Sequence, residues 1–230
     1  MADRALLYYI TDRAAFRGDE RTRRLRLLDK IAEAASHGIN YIQLREKGLP
    51  ARELESLARE AMQIIRDTMK SATGVRQPAT ALLINSRTDV ALASEAAGVH
   101  LPANDVSPEE VRAAWAGKRG VVALAPENSP QYPLIAVSCH SPQEVNQAAS
   151  NQATFAVFAP VFEKKDAPGT SPAGLEALRQ ACRARIPVLA LGGVTLQNAE
   201  SCMHAGAAGV AAIRLFQEND IATIVRKLRS

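Results

Sequence analysis

The stretch PVLALGGVTLQNAESCMHAGAAGVAAIRLF, residues 187–216, decides the fold. An apolar run, 187–191, drives into Gly192-Gly193, a helical pattern follows, and a second apolar run opens at Gly209. The order reads strand, glycine turn, helix, strand. Glycines where a chain leaves a strand let the backbone approach a ligand and aim bare N–H groups at it, which suits a phosphate. In a (β/α)8 barrel the phosphate site is commonly built from the loops after strands seven and eight. Alone, a Gly-Gly pair makes a tight turn and nothing more, so the rest of the chain has to decide.

The same alternation extends outward to both ends. Short apolar runs stand at 6–11, 41–45, 81–85, 98–101, 134–138, 155–162, 187–191 and 209–215. They are nearly continuous in apolar character, as parallel strands buried on both faces are. Helical patterns fill the gaps at 25–37, 51–70, 89–97, 108–116, 142–150, 174–183 and 196–205. Ser107-Pro108 and Ser141-Pro142 each place a capping hydroxyl before a proline at the first helical position. Eight strands alternating with helices predict one (β/α)8 TIM barrel domain spanning residues 1–230. Two places break the rhythm. Residues 71–80 are polar and turn-rich, and 117–133 holds a further apolar run, 121–125, that reads as an extra strand or a surface excursion.

Composition narrows the function classes. An apolar fraction of 47% supports a large core and argues against disorder. No window has the apolar length of a membrane span, and the N-terminus MADRALLYYITDR lacks the apolar core and cleavage site of a signal peptide. Cys139, Cys182 and Cys202 are too few and too scattered for a disulfide framework or a zinc site, which predicts a reducing, cytoplasmic setting. The net charge of +4 is mild, and its basic clusters fall on helix-like segments with few aromatic residues among them. A nucleic-acid partner is therefore not expected.

In a barrel of this kind, chemistry collects at the C-terminal ends of the strands. Strand one ends in Thr11-Asp12-Arg13, strand three in Asn85-Ser86-Arg87, strand five in Ser138-Cys139-His140. On strand two, alternation sends Gln43, Arg45 and Lys47 into the mouth and turns Leu44 and Glu46 toward the helices. Two cations and an amide aimed together suit a phosphate or diphosphate. The alternative is an internal ion pair with Glu46 or Asp12. Asp105, in the loop after strand four, either holds magnesium or caps the next helix. His140 is a candidate acid or base, whereas His37, His100 and His204 hold weaker positions.

Taken in order, YYITDR (8–13), YIQLREK (41–47), LLINSRTDVALASEAAGVHLP (82–102), AVSCHSPQEV (136–145), FAPVFE (158–163), PVLALGGVTLQN (187–198) and GAAGVAAI (206–213) resemble the thiamine phosphate synthase and TenI superfamily over nearly the whole chain. That resemblance implies a (β/α)8 barrel that joins hydroxymethylpyrimidine diphosphate to thiazole phosphate, with small-molecule phosphates as its partners. It implies that Gln43, Arg45, Lys47 and Asn85 handle the pyrimidine diphosphate and that Asp105 binds Mg2+. Ser138 and His140 would lie near the reacting centre, with a loop lysine, Lys164 or Lys165, kept in the catalytic group. Gly192, Gly193, Ile213 and Arg214 would surround the thiazole phosphate. The departures are specific. Ser86 stands where synthases carry a second magnesium-binding aspartate, the threonines of the strand-six loop are gone, and Leu101-Pro102 replaces a glycine-glutamine pair. These lean toward the TenI branch, a metal-independent thiazole tautomerase in which a histidine at His140 is the acid/base. A tautomerase has no use for the strand-two triplet, so the synthase is the leading expectation. A non-catalytic phosphate-binding barrel is the third reading, and self-association stays open.

Overall fold

Alternate residues along each apolar run feed two different cores. In the computed structural model, which describes residues 5–71, 79–121, 133–163, 169 and 171–229, eight parallel strands close into a barrel in chain order. They are β1 (Leu6–Ile10), β2 (Tyr41–Leu44), β3 (Ala81–Asn85), β4 (Gly98–Leu101), β5 (Leu134–Cys139), β6 (Phe155–Phe158), β7 (Val188–Ala190) and β8 (Gly209–Ala212). Strand β8 pairs back to β1, with Tyr8 opposite Ala211, which leaves no sheet edge. Tyr8, Ile10, Leu83, Ala136, Phe155, Val157, Leu189 and Ala211 pack inside the barrel. Their neighbours, such as Leu7, Ile42, Ile84, Val99 and Val137, pack outward against the helices. Near the floor, Tyr41 stacks on Phe155 at 4.7 Å, and Tyr8 meets Phe155 edge-on at 5.6 Å.

The outer ring consists of α1 (Glu20–Ser36), α2 (Ala51–Ser71), α3 (Thr88–Ser94), α4 (Pro108–Val121), α5 (Pro142–Ser150), α6 (Gly174–Ala181) and α7 (Ala199–His204). Two helices follow β8, the short α8 (Arg214–Gln217) and α9 (Ile221–Leu228). Caps set several of the starts. Asp19, Ser141 and Asp220 each accept the N–H of the residue three positions on, and Pro142 takes the first helical position of α5. Helix α9 lies beyond the predicted patterns; it buries Ile221 and Ile224.

Three sequence expectations need correction. The run at 155–162 is a strand only to Phe158, because Pro160 has no N–H to continue a ladder. The run at 209–215 ends at Ala212, so Arg214 opens α8 instead of ending a strand. Val121 closes α4 and does not start a strand; residues 122–132 lie outside the described residues.

Candidate active site

Polar side chains crown the interior rows of β2 to β5. Gln43 Nε2 donates to Asn85 Oδ1 at 2.9 Å, and Asn85 Nδ2 donates to Ser86 Oγ at 3.0 Å. Gln43 is buried, so this chain of amides holds a polar edge against the apolar interior. Ser86 sits in the left-handed region at φ 60°, within a tight turn closed by the Arg87 N–H donating to Asn85 O at 2.7 Å. A non-glycine residue held there is strained, and such strain clusters at functional sites.

The triplet of β2 does not act as one alternating row. The strand stops at Leu44, Arg45 is half-buried at its end, and Lys47 is exposed in the following turn. Glu46 faces away from the mouth as expected, but it is buried as a structural carboxylate. It accepts the Thr11 hydroxyl at 2.5 Å, the Arg13 N–H at 3.0 Å and the Arg13 guanidinium at 3.3 Å. Arg13 thus takes the ion pair foreseen as an alternative for the strand-two cations. Among the described residues, Arg45 and Lys47 have no salt-bridge partner, and a half-buried guanidinium without an anion is costly. Thr11 Oγ1 also accepts the Arg45 N–H at 3.0 Å, which ties the Glu46 clamp to the backbone that carries Arg45.

His100, a weaker candidate by sequence, is central to the polar network. It lies in β4 beside Asn85, buried at 3% exposure, with Nδ1 3.0 Å from the Tyr8 hydroxyl and Nε2 2.7 Å from Ser138 Oγ. Burial, with Arg45 nearby, pushes its pKa down to about 3, so the ring is neutral. The signal was available: Val99 and Leu101 face the helices, so parity sends His100 inward. His140, by contrast, is exposed. Its Nδ1 lies 2.7 Å from Ala159 O, which can only accept, so Nδ1 carries a proton and Nε2 is the ring nitrogen left free to exchange one.

The glycine turn after β7 offers unpaired donors. Gly192 and Gly193 have φ of 92° and 65°, and no N–H of Gly192, Gly193 or Val194 is hydrogen-bonded among the described residues. Asn198 fastens the turn, donating to Gly193 O at 3.0 Å and accepting the Thr195 N–H at 2.7 Å. Ile213 faces the barrel interior where β8 passes into α8, and Arg214 is half-buried. Gln217, also missed in the sequence, docks α8 on β1: it accepts from the Tyr9 hydroxyl at 3.0 Å and the Asp12 N–H at 3.1 Å. Its own amide donates to Asp12 O at 2.7 Å.

Asp105 is exposed, and its Oδ1 accepts the Val106 N–H at 2.8 Å. It shares a cavity of about 130 Å³ with Ser138 and Glu144, and the Glu144 carboxylate accepts the His140 N–H at 2.6 Å. Ser86 offers a neutral hydroxyl in place of a second carboxylate, and among the described residues no three His, Cys, Asp or Glu side chains converge. This donor set does not fit a resident magnesium ion, which favours carboxylate oxygens. Lys164 and Lys165 lie outside the described residues. Burial pushes the Cys139 thiol up to about 12 and those of Cys182 and Cys202 to about 11, which excludes them as thiolate nucleophiles. Among the described residues no helix is long and apolar enough to cross a membrane.

Known proteins match this architecture along its length. The family model for thiamine monophosphate synthase covers residues 7–216. A thiamine-phosphate synthase of Methanoculleus marisnigri is 34% identical over 97% of this chain and 93% of that protein. One from Roseiflexus castenholzii is 35% identical over 91% of this chain and 80% of its own. The solved thiamine phosphate pyrophosphorylase from Pyrococcus furiosus superposes with a TM-score of 0.72 at 27% identity, over 99% of this chain and 95% of that one. The chain belongs to the thiamine monophosphate synthase family.

Proposed function

We propose that this protein condenses hydroxymethylpyrimidine diphosphate with thiazole phosphate, giving thiamine phosphate and pyrophosphate. The observation that carries the reading is one barrel mouth with two anion-seeking features. Arg45 and Lys47 lack carboxylate partners among the described residues, and the Gly192–Gly193 turn presents unpaired N–H groups. The names and lengths of the relatives support the same activity.

In this reading Arg45 grips the diphosphate through its fork and Lys47 adds a point charge. Gln43 and Asn85 border the pyrimidine side, and the turn at Gly192 and Gly193, with Ile213 and Arg214, receives the thiazole phosphate. The C–O bond between the pyrimidine methylene and the diphosphate breaks, and its electron pair leaves on the diphosphate oxygen. The thiazole nitrogen lone pair forms the new C–N bond to that methylene. Cations and donors aimed at the departing oxygen stabilise the charge that develops there. Ser138, at the top of β5, supplies one such donor. Lys164 and Lys165 belong to the same catalytic group by their place after β6. Mg2+ carried by the diphosphate substrate would supply counter-charge, and Asp105, which lines the same cavity as Ser138, is the carboxylate that would meet it.

One observation favours a second reading. The condensation transfers no proton, yet His140 is oriented by its Nδ1 bond to Ala159 O, which leaves Nε2 free to exchange one. Proton transfer on a thiazole carboxylate phosphate, the tautomerase reaction, needs such a base and no metal. Purified protein given both synthase substrates and Mg2+ releases pyrophosphate and thiamine phosphate in equal amounts under the first reading. No condensation at high enzyme, with aromatisation of the thiazole carboxylate phosphate, establishes the second. Binding of thiazole phosphate without either reaction leaves a non-catalytic barrel.

A further inference from the structure

Three side chains form a line from the barrel core to its mouth: Tyr8, His100 and Ser138. The Tyr8 hydroxyl is 3.0 Å from His100 Nδ1, and His100 Nε2 is 2.7 Å from Ser138 Oγ. Tyr8 is fully buried and among the described residues makes no other polar contact through its hydroxyl, and His100 is sealed beneath the mouth. A neutral imidazole carries one ring proton, so two arrangements compete.

With the proton on Nδ1, the ring donates to the Tyr8 oxygen. The buried Tyr8 O–H then has no acceptor among the described residues, and Ser138 spends its own proton inward on Nε2. With the proton on Nε2, Tyr8 donates to Nδ1, the ring donates to Ser138 Oγ, and every buried group is satisfied. An unmade bond from a buried hydroxyl is expensive enough to favour this second arrangement by roughly tenfold or more. Its consequence reaches the mouth, because Ser138 Oγ already accepts from below and its own O–H is left to donate upward.

We propose that Tyr8 and His100 are positioning residues whose hydrogen bonds hold Ser138 as an outward-facing donor toward the leaving diphosphate oxygen. The identity of that acceptor rests on the synthase reading; the direction of the hydrogen-bond line does not. No proton is transferred along it. A serine that donated inward would have only lone pairs to offer an anion, which repel it.

The test combines a spectroscopic arm with a kinetic one. Imidazole 15N spectra of the ligand-free protein, assigned with His100→Gln, are expected to show His100 protonated at Nε2 with a bare Nδ1. Tyr8→Phe removes the donor to Nδ1 and is expected to erode that preference while the near-ultraviolet circular dichroism stays native. His100→Gln keeps a carbonyl for Tyr8 and an amide for Ser138, whereas His100→Leu keeps only the volume. In pyrophosphate release, His100→Leu is expected to lose kcat by about 10–100-fold, the range for a hydrogen bond to developing charge, with His100→Gln recovering most of it. A His100 protonated at Nδ1 overturns the proposal, as does a His100→Leu enzyme at least as fast as His100→Gln. If the wild type lacks synthase activity, an Nε2-protonated ring that loses its preference in Tyr8→Phe still supports the line, and the failure falls on the functional reading alone.

Discussion

Replacing Gly193 by alanine distinguishes a turn glycine from one that the packing also demands. At Gly193 φ is 65°, and an added Cβ would lie 2.5 Å from Glu163 O and 2.7 Å from Phe162 Cβ. Gly48 supplies the control, with φ at 86° and nothing within 4 Å of its Cβ position. Holding an L side chain in the left-handed region costs about 1–2 kcal/mol, and Gly48→Ala carries that cost alone. Gly193→Ala adds overlap with a backbone oxygen that has no rotamer to move to, about 1–3 kcal/mol more on the scale of overpacked interiors. The total is about 2–5 kcal/mol, and the difference between the two variants is at least about 1 kcal/mol. Urea unfolding with unchanged m-values reads that difference directly. Calorimetry with thiazole phosphate reads its consequence, since the turn has to shift to relieve that overlap. Equal stability losses in the two variants, or wild-type thiazole phosphate affinity in folded Gly193→Ala, refute the reasoning.

Arg45→Ala is expected to cut kcat/KM for the pyrimidine diphosphate by about 10–100-fold, the worth of a charged bidentate contact, with Arg45→Lys restoring only part of it. Steady-state kinetics check both variants, and full activity of Arg45→Ala contradicts the diphosphate assignment. Burial raises the Glu46 carboxyl above its ordinary 4.5, against the opposing pull of Thr11 and Arg13. A carboxyl raised by folding stabilises the fold most below its unfolded value, and that contribution fades as pH climbs through the folded value. Relative to Glu46→Gln, the wild type should therefore lose unfolding free energy as pH rises through the range above 4.5, measured by urea titration at successive pH values; a difference that grows with pH contradicts this. Ser86→Asp restores a second carboxylate at a φ of 60°, a conformation aspartate tolerates better than most residues. It should lower the Mg2+ concentration for half-maximal rate; an unchanged or raised requirement places the metal elsewhere.

The barrel was legible because its strands are short, apolar and evenly spaced, and because parity along each one sorts residues between two cores. Strand ends were less legible. Leu44 and Arg45 look continuous in sequence, yet β2 stops between them, so alternation carried on to Lys47 describes a strand that no longer exists. Likewise the apolar run at 209–215 hides the turn at Ile213, because Leu215 and Phe216 bury as well from a helix as from a strand. Glu46 shows what residue type cannot tell. Alternation turns it toward the helices and offers it to the strand-two cations, while its actual partners, Thr11 and Arg13, lie more than thirty residues away, just past the end of β1. His100 was undervalued for the same reason: its worth comes from Tyr8 and Ser138, which only barrel closure brings to it.

The most direct test of the synthase reading is a single time course. Purified protein, hydroxymethylpyrimidine diphosphate, thiazole phosphate and Mg2+ are incubated together while pyrophosphate and thiamine phosphate are both measured. One pyrophosphate per thiamine phosphate, with the rate lost in Arg45→Ala, is the predicted result. Pyrophosphate and thiamine phosphate both absent at high enzyme, from protein that still binds thiazole phosphate, would contradict it.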